Sequence, residues 1–120
     1  MPKKILIADD SLFMRKMLKD ILSGKYEIVE AASGSTAYKQ IEKEKPDLIL
    51  LDIIMPEGEE EGIRVLENVV KINPKARVVM ITAVGQNTIM DECKKLGAKD
   101  YIIKPFDKEK VLQMVAKYLG

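Results

Sequence analysis

Five short, mostly aliphatic runs alternate along the chain with longer stretches in which apolar residues recur every three or four positions. The runs are "KILIAD" (residues 4 to 9), "YEIVEAA" (26 to 32), "LILLD" (48 to 52), "RVVMIT" (77 to 82) and "DYIIK" (100 to 104). Runs of this length predict β-strands, and an unbroken one such as "LILLD" predicts a strand buried on both faces. The intervening stretches predict helices. Met14, Met17, Leu18, Ile21 and Leu22 share one helical face behind a capping Ser11, and Gly24 stops that helix. Ala37, Tyr38 and Ile41 mark a second helix, opened by Ser33 or Ser35 and closed before Pro46. Ile63, Leu66, Val69 and Val70 mark a third, ended by Asn73 and Pro74. A fourth lies within Gln86 to Leu96 and ends at Gly97, and a fifth, capped by Asp107, carries Val111, Leu112, Val115 and Leu119.

Strand and helix in five successive pairs predict an α/β fold: a parallel sheet, doubly wound by right-handed crossovers, with helices on both faces. Residues 1–120 read as one domain, without repeat, linker or low-complexity tail. A chain of this length buries roughly two thirds of the surface it would expose unfolded. In such sheets reactive groups gather beyond the carboxyl ends of the strands. Those ends carry Asp9 and Asp10, Asp52, Thr82 and Lys104. Each alone is an ordinary turn or cap former; three carboxylates, a hydroxyl and an ammonium at one rim form a chemical set.

Composition limits what that set can do. The chain is 47% apolar and 32% charged with a formal net charge of +1, which implies neither a nucleic-acid partner nor a membrane. The amino terminus is too short in apolar residues for a secretory signal, and a cytoplasmic location is expected. Cys93, at helical spacing from Ile89 and Leu96, reads as a core thiol. With no histidine and one cysteine, Ser-His-Asp catalysis, Cys-His catalysis and zinc sites of histidine or thiolate type are excluded. Three clustered carboxylates against Lys104 leave an excess of negative charge that a hard divalent ion such as Mg²⁺ would complete. A carboxylate at Asp52 beside such an ion, an ammonium and the Thr82 hydroxyl is suited to accepting a phosphoryl group as an acyl phosphate.

The motifs "ILIADDS", "LILLDIIMP", "MITA" and "AKDYIIKPF" resemble the receiver domain of two-component response regulators, specifically the single-domain, CheY-like chemotaxis type, over essentially all 120 residues. The resemblance implies a flavodoxin-like sheet of order 2-1-3-4-5 and a receiver domain with no output domain. It implies Asp52 as phosphoacceptor and Mg²⁺ held by Asp10, Asp52 and the Ile54 carbonyl, with Asp9 contributing through water. Thr82 and Lys104 match the phosphate-contacting pair, Thr82 and Tyr101 the switch pair, and Lys104-Pro105 a bond usually cis in the family. The donor would be a phosphohistidine on a sensor histidine kinase. The output would be altered binding of a target protein, either a flagellar-motor component or a histidine phosphotransfer protein in a relay. Such a chain is a monomer, and not a conventional enzyme, although it promotes its own Mg²⁺-dependent phosphorylation and dephosphorylation. Met90, Lys94 and Tyr101 are the expected partner surface, Met90 on the exposed flank of its helix.

Two features depart from the family pattern. The loop after Asp52, "MPEGEEEG", carries what looks like a two-residue insertion, with Gly58 and Gly62 six and ten residues on. Glu57, Glu59, Glu60 and Glu61 fill it and read either as a solvated acidic turn or as an altered docking edge or cation contact. Ile54 and Val84 are apolar where relatives often carry polar groups that position water, which predicts slow loss of the phosphoryl group. Three competing readings are weaker. A flavodoxin-like electron carrier would need a phosphate cradle where Asp9 and Asp10 stand. A phosphohydrolase would need an acid/base carboxylate close after Asp52, where Ile53, Ile54 and Met55 follow. A module that merely keeps the fold would have no use for all five strand-end groups.

Overall fold

In the computed structural model, which describes residues 2–83 and 87–120, strands and helices alternate from end to end. They are β1 Lys4–Ala8, α1 Leu12–Leu22, β2 Glu27–Ala31, α2 Gly34–Glu44, β3 Leu48–Asp52, α3 Glu61–Ile72, β4 Val78–Ala83, α4 Asn87–Leu96, β5 Asp100–Lys104 and α5 Lys108–Leu119. All four strand pairings are parallel, in the order β2-β1-β3-β4-β5. This is the doubly wound sheet expected from the alternation of patterns, in the flavodoxin-like order that the resemblance implies.

Successive side chains of a strand point to opposite faces, so each aliphatic run serves two cores. Leu6, Ala8, Ile49, Leu51, Val78 and Met80 face α2, α3 and α4, packing with Ala37, Leu66 and Cys93. Ile5, Ile7, Leu48, Leu50, Val79 and Ile81 face α1 and α5, packing with Leu18, Leu22, Val111 and Val115. Every residue of β3 is buried, as a central strand covered on both faces must be. Ser11, Ser33 and Asp107 cap their helices through Met14, Thr36 and Lys110 amides. Lys45 ends α2 in the left-handed region, and Gly97, at φ 118°, ends α4. The Lys104-Pro105 peptide bond is cis.

Several boundaries and orientations differ from the pattern-based reading. Tyr26 precedes β2 and packs in the α1–α5 core, while Ala32 lies beyond the strand's end. β4 is displaced by one residue, to end on Ala83. Val65, outside the expected stripe of α3, is fully buried because that helix is covered on both flanks, by α2 and α4. Met90 is buried, with 5% of its surface exposed, and so does not belong to an exposed partner surface. It lies three residues before Cys93, hence on the same helical face, and widens the inward stripe rather than flanking it. Gln86 and Val84 lie outside the described residues. Among the described residues, no helix is long and apolar enough to cross a membrane.

Candidate functional site

Parallel pairing brings the carboxyl ends of β1, β3, β4 and β5 to one rim, and the polar strand-end residues meet there. Asp9, just past β1, is fully buried; Asp52, which closes β3, and Thr82, the penultimate residue of β4, are buried too. Asp10 is exposed beside them. Carboxylate oxygens of Asp9, Asp10 and Asp52 all lie within 4.8 Å of one another. Lys104, closing β5, reaches back across the rim, its Nζ 3.0 Å from Asp52 Oδ2 and 3.2 Å from Asp9 Oδ2.

The remaining contacts hold these groups in place. The Ser11 amide donates to Asp9 Oδ1 at 2.9 Å, so the residue that caps α1 also orients a site carboxylate. Arg15 Nη1 donates to the Asp9 carbonyl at 2.6 Å, while Arg15 Nε pairs with Glu30. The role of Arg15 was not legible in the sequence, since no local spacing rule joins a helix residue to a carbonyl six positions back. The Ile54 amide donates to Asp52 Oδ1 at 3.3 Å, and the Ile54 side chain turns outward, 51% exposed. The Thr82 hydroxyl donates a long bond, 3.4 Å, to the Ala83 carbonyl. Among the described residues, no buried side-chain polar atom lacks a hydrogen-bond partner.

Charge at the rim is unevenly balanced. Burial, and then the charge of Asp9, raise the Asp52 pKa above its ordinary value, against the lowering effect of Lys104 and the Ile54 amide. Burial also works against the Lys104 ammonium, but its hydrogen bond to Asp52 and the charges of Asp52 and Asp9 outweigh that and raise its pKa. One ammonium facing three carboxylates leaves negative charge uncompensated. The donor set is entirely oxygen, which suits a hard divalent cation and not zinc or copper.

Gly62, the second residue of α3, explains how the helix comes so close to Asp52. Its amide donates to the Ile53 carbonyl at 2.8 Å, and a Cβ at this position would stand 2.6 Å from Ile53 Cα and against the Asp52 carbonyl oxygen. The loop between is folded, contrary to a purely solvated turn. Met55 and Gly58 exchange backbone hydrogen bonds of 3.1 and 3.0 Å, and Met55 is buried. Glu57 accepts hydrogen bonds of 3.0 Å from each of the Gly34 and Ser35 amides, which lower its pKa. Glu61 lies over Gly34, in space a Cβ there would fill. Glu57, Glu59 and Glu60 are all exposed, and Glu57 alone of the three is hydrogen-bonded through its side chain.

Away from the rim, Tyr101 is half-buried, with Lys94 Nζ 4.8 Å from its ring centroid. Cys93 is a buried thiol with its pKa pushed up to about 11 by burial, as a core residue's should be.

The sequence matches the response regulator receiver domain family over residues 5–116. Chemotaxis protein CheY of Thermotoga maritima is 41% identical over 119 residues, 98% of each chain. Sporulation initiation phosphotransferase F of Bacillus subtilis is 38% identical, with 99% of this chain and 95% of that protein covered. A chain of the CheX-CheY-BeF3-Mg²⁺ complex from Borrelia burgdorferi superposes with a TM-score of 0.90 at 37% identity, over 98% of this chain and 89% of that one. With a receiver-family match across nearly its whole length and CheY proteins among its relatives, the chain belongs to the response regulator receiver domain family and is CheY-like.

Proposed function

We propose that the chain is a phosphorylatable signalling switch in which Asp52 accepts a phosphoryl group from a phosphohistidine of a sensor histidine kinase. An Asp52 carboxylate oxygen forms the new P–O bond while the P–N bond to the donor imidazole breaks, the electron pair leaving with the ring. The observation that supports this most directly is the position of Asp52, at the end of a fully buried strand with the Lys104 ammonium at 3.0 Å and the Thr82 hydroxyl one strand away. Lys104 stands where it can offset charge on the incoming oxygens, and Thr82, bound only weakly to Ala83, can turn its hydroxyl to one of them. Asp9, Asp10 and Asp52, with the Ile54 carbonyl, are the residues that would hold Mg²⁺. When bound, that ion compensates the carboxylate charge and the charge of the phosphoryl oxygens.

Phosphorylation replaces the single charge of the Asp52 carboxylate with nearly two on the phosphoryl oxygens, a net gain of about one negative charge, and adds three strong acceptor oxygens. Thr82 moving toward the phosphoryl group would open space for the Tyr101 ring and reshape the surface of α4, β5 and α5, including Lys94. The signal would then be read by a partner protein, in the cytoplasm and from a monomer. Chemotaxis is the favoured setting, because the relatives include CheY proteins. Relay to a histidine phosphotransfer protein is the second reading, favoured by likeness to a sporulation phosphotransferase.

Incubation of the full chain with Mg²⁺ and acetyl phosphate, followed by intact mass, tests the proposal. The parent should gain one phosphoryl group, and Asp52→Ala none. Uptake by both, or by neither, would reject Asp52 as acceptor.

A further inference from the structure

The acidic loop between β3 and α3 is fastened to a helix that no local pattern connects to it. Four residues, Met55 to Gly58, close a turn through their two reciprocal backbone bonds, directly after Ile54. The turn is anchored on one side by the buried Met55 side chain. On the other side the Glu57 carboxylate takes both amides at the start of α2, one on each oxygen. Among the described residues, Glu57 is the only one of residues 53–60 whose side chain makes a hydrogen bond.

The arrangement is electrostatically sound at both ends. The first amides of a helix lack intrahelical partners and carry the positive end of its dipole, so a carboxylate there satisfies donors and charge together. Ser33 Oγ takes the Thr36 amide, and the Ser33 carbonyl takes the Ala37 amide. Glu57 thereby completes the cap with groups from 22 and 23 residues away.

The consequence falls on Ile54. Its amide donates to Asp52, and it lies between Ile53, held by Gly62, and Met55, held by Gly58. A backbone fastened on both sides presents both its amide and its carbonyl in one orientation. We propose that Glu57 is a positioning residue for the phosphorylation site: by tethering the Met55–Gly58 turn to α2, it holds the Ile54 backbone in the geometry needed at Asp52. This rests on the reading of Asp52 and Ile54 given above. It also assigns an intramolecular use to one carboxylate of the acidic loop, although Glu57 itself is solvent-exposed.

The test compares the full-length parent with Glu57→Ala, Ser33→Ala and Glu59→Ala. Ser33→Ala removes another cap of the same helix without touching the loop, and Glu59 is exposed. Mg²⁺ affinity is measured by calorimetry, and hydrogen exchange at the Met55 and Gly58 amides by NMR. Glu57→Ala should weaken Mg²⁺ binding about tenfold, the low end for losing an outer-shell support, and should speed exchange at both amides. Ser33→Ala should lower Tm with neither effect, and Glu59→Ala should resemble the parent. Unchanged exchange in Glu57→Ala, or equal effects in Ser33→Ala, would overturn the proposal. Failure of the parent to accept phosphate would reject the acceptor role of Asp52 and leave the exchange measurement to decide on Glu57.

Discussion

Lys104 and Asp52, separated by 52 residues of chain, meet at 3.0 Å where the ends of β5 and β3 converge on the rim of the sheet. The same ammonium bridges to Asp9, so one lysine holds two buried carboxylates at once. It does not fully compensate them, since the Asp52 pKa still lies above its ordinary value, through burial first and the charge of Asp9 second.

That imbalance makes stability depend on pH. Between the ordinary carboxylate pKa and the raised one, the folded chain binds more protons than the unfolded chain. Stability from this group is therefore fully present below that window and is lost as pH rises through it. In metal-free buffer at pH 7, Asp52→Asn should raise Tm by a few degrees, and the advantage should shrink as pH falls. Mg²⁺ should raise the Tm of the parent more than that of the variant. Thermal denaturation with and without chelator measures both; a variant less stable than the metal-free parent at pH 7 would contradict the assignment.

Gly62 sits where α3 meets the end of β3, and the nearest atoms to an added Cβ are backbone, which cannot swing aside. Gly62→Ala should cost about 1 to 3 kcal/mol by overpacking and should slow phosphoryl uptake by displacing Asp52. Gly24→Ala, with nothing within 4 Å, should change stability by less than about 0.5 kcal/mol. Denaturant titration distinguishes them, and equal stability of the two variants would be the contrary result.

The outward-facing Ile54 side chain offers no hydrogen bond to a water attacking an acyl phosphate at Asp52. Ile54→Asn should therefore lose a labelled phosphoryl group several-fold faster than the parent. Label retention over time decides, and faster or equal loss from the parent would remove Ile54 from the account.

Lys94 over Tyr101 is a cation–π contact at a half-buried ring, a geometry worth about 0.5 to 1 kcal/mol when exposed. If phosphorylation turns the ring inward, the contact should be broken and the ring protected from solvent. NMR of Tyr101 with and without acetyl phosphate reads this directly. Identical exposure in both states would eliminate Tyr101 as a switch.

Local pattern alone determined the element sequence: short, mostly aliphatic runs and longer stretches near period 3.6 place all five strands and all five helices, with boundary errors of a residue or two. Asp9, Asp52, Thr82 and Lys104 could be singled out for the same reason, because topology sends the end of every parallel strand to one rim. Met90 faced the wrong way in that reading, since a stripe one residue wide underestimates the apolar face of a helix packed against a sheet. The tertiary structure alone decided that Lys104 bridges two carboxylates, that Arg15 grips the Asp9 carbonyl and that Glu57 caps a helix two elements back. Periodicity records only which side of an element is buried. Pairings across many residues depend on where loop closure brings side chains together, and no repeat in the chain encodes that distance.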